Sequence, residues 1–580
     1  MQHRAETSHA SVYDVIICGG GIAGLGLARQ LALRDLGLSV LVLDPLTRPL
    51  PEAAFKVGES TIETGAYYLH GTLQLRDHLE AHHLEKLGLR YFYNTGGAFE
   101  DRPEYGARRF LPAKSYQVDR GRLENHLREL VVQDGCDLRE GARVSDIALQ
   151  EGETPHVVHF TDAGGAAQTA QGRWVIDAMG RHRMLQHKLQ LDRGWRGPCS
   201  SVWWRVRGKV SVNDFVSPSH AAWHGRALED RWQSTNHLMG KGYWVWIIPV
   251  APDNTSIGIV AHEALHPFQS FGTSHARAHE WLQAHEPVLH EALQGHEVMD
   301  FMKLRHYSYT SSQVFSRQRW ACTGVAGVFA DPFYSVGANL IGFSNGFITE
   351  MIQRDRQGTL TDEYVDHANR YVITLNDFLT NTIQRGYANL GVPAVAALKT
   401  IWDYYIGWTT TDPQFYHETY LDPSLSKIMS SLIARTVVTQ GRMMRLFEDW
   451  GRRGAATRYT FGYIDYVEDL HTLKALHVRN LPPKTSDFRR LLDNVREGID
   501  RIEEIAHIIF FMAVRDALPD AWPRLASHRW INTEAISLDP EAWERDGLFA
   551  PRTTPRDFTA HEAEITRLFS LKPEPQASVA

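Results

Sequence analysis

The sequence predicts an α/β fold that opens with a βαβ unit, continues through mixed strands and ends in a largely helical region. Three patterns carry this prediction. A β-branched run over residues 13–18 is broken by glycines and followed by a helical stretch and a second buried strand over residues 38–44. Aromatic and β-branched strands separated by Gly/Asp turns fill roughly residues 101–321. Amphipathic helical patterns dominate after about residue 348.

Length and charge bound the kind of protein. With 580 residues the chain is too long for one simple domain, and we divide it into residues 1–350 and 351–580. A formal net charge of -7 argues against a nucleic acid or an anionic membrane as partner. No apolar run approaches membrane-spanning length, the N-terminus lacks signal-peptide order, and the scattered cysteines form no C-x-x-C pair. We therefore expect a cytoplasmic protein without a membrane partner.

The first strand leads into a glycine-rich turn with the spacing Gly19-x-Gly21-x-x-Gly24. The first glycine makes the turn, the second lets backbone approach a pyrophosphate, and the third lets helix and strand pack closely. Asp44 ends the second strand twenty residues after Gly24, where a carboxylate can accept ribose hydroxyls. A glycine-rich turn in an unrelated α/β protein is the alternative. The predicted dinucleotide-binding residues of this Rossmann-type unit are Gly19, Gly21, Ile22, Ala23, Gly24 and Asp44.

Further segments distinguish FAD from NAD as the dinucleotide. Arg120, the strand Trp174–Gly180 and the pair Asp331-Pro332 resemble segments of the para-hydroxybenzoate-hydroxylase-like FAD family. The resemblance covers roughly residues 12–348 and implies that Arg120, Asp331 and Pro332 lie beside FAD. No second glycine fingerprint appears, so we expect reducing power to arrive through another protein rather than a bound NAD domain.

Three motifs narrow the resemblance. Lys56-Val-Gly-Glu-Ser-Thr61 resembles the pattern G-x-G-E-(A/S)-T, with Lys56 in place of the first glycine, and Trp244-Val-Trp246-Ile-Ile-Pro249 follows W-x-W-x-I-P. The third is Asp331-Pro-Phe-Tyr-Ser-Val-Gly337. Together these motifs resemble the flavin-dependent halogenases. Such enzymes use reduced FAD and oxygen to oxidise chloride or bromide to hypohalous acid, and a lysine then hands the halogen to an aromatic substrate.

The resemblance implies roles for the residues of these motifs. Cofactor-binding residues would include Lys56, Gly58, Glu59 and Ser60. Backbone N–H groups near Val336 and Gly337 could cradle the halide as an anion nest. Trp244, Trp246 and Pro249 would line the tunnel between flavin and substrate, because Trp244 and Trp246 project to one face of a strand. Paired indoles that merely fill a core are the alternative for the two tryptophans.

A lysine lies at the spacing that the resemblance requires. Lys86 comes 27 residues after Glu59, and the essential lysine of halogenases occupies this kind of position, on a strand entering the substrate chamber. Its ammonium could donate to an oxyhalide oxygen, or the amine could itself be halogenated if its pKa is lowered. Two alternatives remain: Lys56 could be the essential lysine instead, or Lys86 could be an ordinary surface lysine.

One departure from the family bears on the substrate. Tryptophan halogenases have a glutamate directly before the serine that corresponds to Ser335, where this chain has Tyr334. The loss disfavours tryptophan and suits an electron-rich phenol, which is activated once its hydroxyl is deprotonated. The motifs around Lys86 and Asp331 resemble the phenolic-substrate branch. We therefore expect Lys86, Tyr334 and Ser335 to be catalytic, with Tyr334 facing Lys86.

The resemblance predicts an FAD-dependent halogenase of a small aromatic, supplied with reduced FAD by a separate NAD(P)H-dependent flavin reductase. Simple flavin hydroxylases carry Gly-Asp where this chain has Gly324-Val325, yet a hydroxylase remains the alternative enzyme. A catalytically silent flavin-binding protein is the third reading. The substrate, its free or carrier-bound form, the halide preferred and the oligomeric state stay open.

A chance motif points to a metal, and we reject it. His262-Glu-Ala-Leu-His266 satisfies H-E-x-x-H, the zinc-protease pattern. That chemistry requires both histidines on one helix face, whereas a strand leads into His262 and Pro267 follows at once. No metal is expected.

The C-terminal part is predicted to be helical. Apolar residues recur at three- and four-residue spacing over residues 425–447 and 486–512. Ser486 or Asp487 could cap the second helix. The tail beyond Lys572 is rich in Pro, Ala and Ser, and we expect it to be frayed.

Overall fold

The structure is a computed structural model that describes residues 12–482 and 487–573. The strands are β1 (Tyr13–Cys18), β2 (Val40–Asp44), β3 (Leu84–Glu85), β4 (Leu89–Tyr93), β5 (Glu104–Gly106), β6 (Tyr116–Gln117), β7 (Asp137–Glu140), β8 (Arg143–Ala148), β9 (His156–Thr161), β10 (Ala167–Asp177), β11 (Cys199–Arg207), β12 (Thr235–Gly240), β13 (Tyr243–Val250), β14 (Asn254–His262), β15 (Met302–Leu304), β16 (Trp320–Cys322), β17 (Tyr459–Thr460), β18 (Tyr463–Ile464) and β19 (Ser570–Leu571).

The α-helices are α1 (Ile22–Leu33), α2 (Glu63–Tyr67), α3 (Arg76–His82), α4 (Arg120–Gln133), α5 (Met184–Lys188), α6 (Ala221–His224), α7 (Phe268–Phe271), α8 (His275–His285), α9 (Pro287–Ala292), α10 (Gly337–Arg356), α11 (Asp362–Gly386), α12 (Pro393–Ile406), α13 (Asp412–Tyr416), α14 (Pro423–Gly451), α15 (His471–Arg479), α16 (Phe488–Ala517), α17 (Trp522–Ala526), α18 (Ala542–Arg545) and α19 (Thr559–Thr566). Two π-helical turns, Tyr68–Thr72 and Gly407–Thr411, follow α2 and α12.

The first sheet is built on the predicted βαβ unit. Its order is β7-β2-β1-β10-β9-β8, with β16 beside the second half of β10. β7, β2, β1, β10 and β16 are parallel, and β2 is buried throughout, as expected of an apolar strand covered on both faces. The carboxyl ends of β1, β2 and β10 therefore meet at one edge, where ligands of such sheets bind.

The second sheet is the predicted mixed sheet. Its order is β15-β11-β14-β13-β12-β4-β5-β18, with β12/β4 and β5/β18 parallel and the other pairs antiparallel. β13 carries the W-x-W motif at the centre of this sheet. Trp244 and Trp246 point into the core shared with the first sheet, whereas Val245 and Ile247 point into a second core on the other face.

The predicted C-terminal helices are present. The helix expected over residues 425–447 is α14, and the one expected over 486–512 is α16. Asp487 is the cap of α16, since its side chain accepts from the Arg490 N–H. The other expected cap, Ser486, and nearly all of the tail expected to fray lie outside the described residues.

The helices and the two sheets share one hydrophobic core. It includes side chains of β1 and β13 together with α10, α12, α14 and α16. Residue 350, at which we divided the chain, lies inside α10, and β18 from the C-terminal part pairs with β5. The division stays a prediction. The α/β class, the Rossmann-type unit, the mixed sheet and the helical C-terminal part are confirmed.

Within the described ranges, no helix has both the length and the apolar composition that crossing a bilayer requires.

Candidate active site

A cavity of about 580 Å³ opens at the carboxyl edge of the first sheet and extends to the W-x-W strand. The predicted site residues in its wall are Gly19, Gly21, Ile22, Ala23, Asp44, Lys56, Gly58, Glu59, Ser60, Arg120, Trp244, Trp246, Asp331, Pro332, Ser335, Val336 and Gly337. Gly24, Lys86, Pro249 and Tyr334 are outside this wall.

The glycine turn leaves backbone open to the cavity. A Cβ on Gly21 would meet nothing within 4 Å, whereas one on Gly24 would come within 2.0 Å of the Gly19 carbonyl oxygen. Gly24 therefore serves the packing of α1 on β1, which explains its absence from the wall. Gly19 has a φ of 117°, a conformation that favours glycine. Such a turn fits a pyrophosphate group.

Asp44 stands at the end of β2 as predicted, but its carboxylate already has partners. It accepts from the Gly20 N–H at 2.5 Å and from the Arg128 guanidinium at 2.9 Å. Asp44 therefore also holds the glycine turn in place. Arg128 was not predicted, because it lies inside α4 without a motif.

Arg120 and Lys56 converge on one buried carboxylate. The Arg120 guanidinium lies 2.5 Å from Glu124, one turn later on α4, and the Lys56 ammonium lies 2.9 Å from the same side chain. Burial pulls the pKa of Glu124 upward, but the two cations hold it below its usual value. Two orientated cations in the wall of the cavity that the glycine turn also lines fit the phosphates of FAD. Glu124 was missed, although its i,i+4 spacing from Arg120 is visible in the sequence.

Glu59 is held by a second buried ion pair. Its carboxylate lies 2.5 Å from the guanidinium of Arg205 on β11, which also contacts Asp300 at 2.7 Å. All three side chains are almost fully buried. This network of ion pairs joins the loop that carries Glu59 to the second sheet.

Lys86 lies immediately after β3 and behind the cavity wall. It is 2% exposed, and its ammonium donates to the Ser60 hydroxyl at 2.8 Å and to the Thr61 carbonyl at 2.7 Å. Burial lowers the pKa of Lys86 to about 7, against the opposing effect of Glu63. Ser60 and Thr61 themselves line the cavity, so one layer of residues separates the lysine from it.

The W-x-W strand presents its two indoles to the cavity. Their rings are 5.7 Å apart, and their N–H groups donate to Tyr387 at 2.8 Å and to Ser256 at 3.1 Å. Pro249 was predicted to line the tunnel, and it does not lie in the cavity wall. The reason is strand alternation, since Trp244, Trp246 and Ile248 share the cavity face and Pro249 falls on the other.

Asp331 anchors the turn that leads to α10. Its carboxylate accepts from Tyr307 at 2.8 Å and Tyr387 at 3.1 Å, and from the Phe333 N–H at 3.1 Å. Burial raises the pKa of Asp331 to about 6, despite these donors. The carboxylate thus fixes the turn against the W-x-W strand, because Tyr387 also accepts from Trp244.

The proposed halide residues lie where the turn becomes a helix. Ser335 has a φ of 60°, and Val336 is the N-cap residue of α10, which begins at Gly337. Apart from its chain neighbours and the backbone of its own helix turn, no described residue would come within 4 Å of a Cβ on Gly337. The free N–H groups at the start of a 20-residue helix favour an anion.

Tyr334 does not face Lys86 as predicted. Its hydroxyl donates to Asp403 of α12 at 2.7 Å, and Asp403 is paired with Lys399 at 2.5 Å. The direction of a side chain on an irregular turn could not be read from the motif, and both partners come from the C-terminal helices.

His237 is a wall residue that sequence reasoning missed. Its ring lies 4.8 Å from Tyr91, 5.3 Å from Trp244 and 5.8 Å from Phe333. Burial lowers the pKa of His237 to about 3, so the imidazole is neutral at neutral pH. No motif surrounds it, because it is one buried position of β12.

The rejected metal motif is not arranged as a zinc site. His262 ends β14, and His266 lies in the loop that follows this strand. The His266 ring is hydrogen-bonded to the Lys241 carbonyl at 3.0 Å. Among the described residues no group of three or more His, Cys, Asp or Glu side chains is placed to hold a metal ion.

Known proteins are similar to this chain in sequence over its cofactor-binding part. Residues 12–255 match the FAD binding domain family. The flavin-dependent halogenase chlA of Dictyostelium discoideum is 26% identical over 415 residues, which cover 64% of this chain and 66% of that protein. A 1H-pyrrole-2-carbonyl-(peptidyl-carrier protein) brominase of Pseudoalteromonas luteoviolacea is 26% identical over 343 residues, 56% of this chain and 74% of that protein.

Solved structures share the fold. Halogenase PltM in complex with phloroglucinol and FAD superposes with a TM-score of 0.58 at 17% identity, over 89% of this chain and 98% of that chain. The match to chlA spans just under two thirds of its length. The predicted FAD cofactor and the predicted resemblance are confirmed: the chain has an FAD-binding domain, and its sequence is similar to those of flavin-dependent halogenases.

Proposed function

We propose that this protein uses reduced FAD, oxygen and chloride or bromide to halogenate an electron-rich phenolic compound, with Lys86 delivering the halogen. One observation carries the proposal. A fully buried lysine stands behind the flavin cavity, and its ammonium points at the two residues, Ser60 and Thr61, that form the shared wall. Bound FAD would supply the oxidation of halide by oxygen.

The environment of Lys86 suits a halogen carrier. Both hydrogen-bond partners of the amine are uncharged, and burial outweighs the opposing effect of Glu63, so a pKa of about 7 gives both the ammonium and the neutral amine near neutral pH. An ammonium can hold hypohalous acid by hydrogen bonding, and a neutral amine can accept the halogen itself. Either route needs the lysine to be separated from the flavin, and the wall provides this.

The remaining residues support division of the reaction between two spaces. Val336 and Gly337 would hold the halide at the start of α10, beside the cavity that takes the flavin. Trp244, Trp246 and Phe333 form an aromatic partition, with Trp244 and Phe333 rings 5.3 Å apart. Such a partition keeps the aromatic substrate from the flavin and favours halogenation over direct hydroxylation.

The phenolic substrate is supported by the site's own chemistry. A phenol supplies a hydroxyl that polar side chains can bind and deprotonate, and Tyr334 stands where a tryptophan-specific glutamate would be. Halogenase PltM was solved in complex with the phenol phloroglucinol, whereas the Pseudoalteromonas relative acts on a carrier-bound pyrrole. A free phenol is therefore our choice, and a carrier-bound ring is the outcome to test beside it.

The test combines the protein with FAD, an NADH-dependent flavin reductase, oxygen, bromide or chloride and a panel of free phenols. We expect halide-dependent products with the isotope pattern of bromine or chlorine by mass spectrometry. Addition of oxygen alone would identify a hydroxylase instead. No oxygen consumption above the reductase background, despite tight FAD binding, would identify a silent flavin-binding protein. Omitting the reductase while supplying chemically reduced FAD tests whether the reductase only delivers the reduced cofactor.

A further inference from the structure

The C-terminal helices place a buried acid–base group behind the halide turn. Lys399 and Asp403 lie one turn apart on α12, with the ammonium 2.5 Å from the carboxylate and each side chain 6% exposed. The Tyr334 hydroxyl donates to the same carboxylate oxygen at 2.7 Å. The other oxygen of Asp403 is buried and has no hydrogen-bond partner among the described residues.

Stability does not explain this arrangement. Burying an ion pair costs desolvation energy that the pairing often fails to repay, and hydrophobic residues of similar volume can be equally stable. A buried oxygen without a partner adds a further desolvation cost. Burial raises the pKa of Asp403, against the opposing effects of Lys399 and Tyr334. A costly polar group beside a reaction site is a candidate for a functional role.

Tyr334 lies on the same side of the aromatic partition as Lys86. Its ring lies 4.7 Å from Phe333, whose other neighbours are Trp244 at 5.3 Å and Tyr91 at 5.7 Å. Tyr334 and Lys86 are both absent from the wall of the flavin cavity, and Tyr404 interacts electrostatically both with Tyr334 and with Glu63, the carboxylate that acts on Lys86. The Tyr91 hydroxyl is also buried, with no hydrogen-bond partner in the part of the chain that the structure describes. Unsatisfied hydroxyl and carboxylate oxygens therefore collect on this side of Phe333, as recognition of a phenol requires.

We propose that Asp403, held by Lys399, acts through Tyr334 to accept the proton of the phenolic substrate before halogen transfer. The substrate O–H bond breaks as its proton passes to the Tyr334 oxygen, and the Tyr334 proton passes to Asp403, which becomes a carboxylic acid. The electron pair left on the substrate oxygen activates the ring. Tyr334 touches the substrate, whereas Asp403 and Lys399 are positioning residues. The proposal rests on the phenolic halogenation proposed above.

Few other charges complicate the proton transfer. Among the described residues, the titratable and charged groups that face Tyr334 and Asp403 are Lys399 and Tyr404 on α12 and Tyr91 on β4. Burial raises the pKa of Tyr91 and of Tyr404 well above the ordinary value, so neither competes as a base near neutral pH.

The test compares pH–rate profiles of the full-length protein and Asp403→Asn with phloroglucinol, bromide, FAD and a flavin reductase. At pH 7 we expect the variant to lose about 10²-fold in brominated product, the effect of a general base. The loss should shrink toward the pKa of the phenol, because solvent then supplies the phenolate. Hypohalous acid, trapped by an added acceptor, should form at the wild-type rate. Tyr334→Phe should show the same profile, and adding it to Asp403→Asn should cost little more.

Three controls keep the result interpretable. Asp403→Glu should recover part of the rate, and Asp449→Asn, at an exposed position of α14, should leave the profile unchanged. An equal loss at every pH, or no loss, overturns the role of Asp403. Failure of the wild-type protein to brominate any phenol instead overturns the proposed function, and this inference with it.

Discussion

Two buried lysines show how one side chain can be given opposite tasks. Lys86, after β3, has only a hydroxyl and a carbonyl as hydrogen-bond partners, and its pKa falls to about 7. Lys399, on α12, lies 2.5 Å from a carboxylate that balances its charge. Exposure is 2% for the first and 5% for the second, so burial does not distinguish them. The partner does: uncharged partners leave an amine reactive, whereas a carboxylate makes the lysine a fixed charge.

The largest expected effect is on the reactive lysine. Lys86→Met should lower halogenation at least about 10³-fold, because Lys86 is the amine that donates to Ser60 and Thr61 in the shared wall. FAD binding, followed by flavin fluorescence, and oxygen consumption should persist. Products are quantified by mass spectrometry. Wild-type halogenation by this variant would remove Lys86 from the mechanism.

The fixed-charge lysine should matter for folding. Lys399→Met leaves Asp403 buried without its counter-ion, which we expect to cost about 3–5 kcal/mol in free energy of unfolding. Denaturant titration measures this, provided that unfolding is two-state. The double variant Lys399→Met/Asp403→Leu should recover most of the loss, since it removes both charges. If Lys399→Met alone is as stable as wild type, Lys399 is not needed as the counter-ion of Asp403.

The pH dependence of stability should separate the two sites further. The folded-state pKa of Lys86, about 7, lies below its unfolded value near 10.4. Between these values the unfolded chain binds more protons, so the stability contributed by this site rises with pH by up to about 1.4 kcal/mol per unit. Below pH 7 the contribution is constant and unfavourable. The difference in unfolding free energy between wild type and Lys86→Met, measured from pH 7 to 10, should therefore grow in favour of wild type. A flat difference contradicts the lowered pKa.

The smallest expected effect is that of replacing an exposed lysine near β3, the strand that precedes Lys86. Lys114 forms ion pairs with Glu80 at 3.1 Å and Glu85 at 3.2 Å, and its side chain is 38% exposed. Lys114→Met should change the unfolding free energy by no more than about 0.5 kcal/mol and leave halogenation intact. Activity loss here would show that the effect of Lys86→Met is not specific to burial and position.

The same contrast explains what could be predicted from sequence. The glycine turn, Asp44 and the W-x-W strand are contiguous patterns whose geometry follows from local rules, and α14 and α16 follow from apolar periodicity. Lys86 could be proposed because its spacing from Glu59 resembles that of a family. Lys399 and Asp403 had no such signal, because an i,i+4 Lys–Asp pair on a helix is usually an ordinary surface feature.

Other misses have the same origin. Arg128 and His237 act through tertiary contacts, as does Glu124 through its pair with Lys56. The direction of Tyr334 could not be predicted because its partner, Asp403, lies about seventy residues later in the chain. Pro249 was placed in the tunnel by its membership of a motif, although its place in the strand alternation argued otherwise. The motif correctly identified the strand that borders the cavity. Which residues of that strand face the cavity depends on the alternation of side chains along it.

The pairing of β18 with β5 also bears on how the chain matures. An open sheet edge is a template for joining another chain, and proteins avoid this by keeping edge strands short. Here one edge is the three-residue β15, and the other is β5, of three residues, covered by the two-residue β18. A ribosome must translate as far as Ile464 before that cover exists. Chains cut short ahead of Tyr463 lack this cover and also α16, whose apolar side chains belong to the shared core. They should therefore aggregate, even though every residue that lines the flavin cavity has already been made.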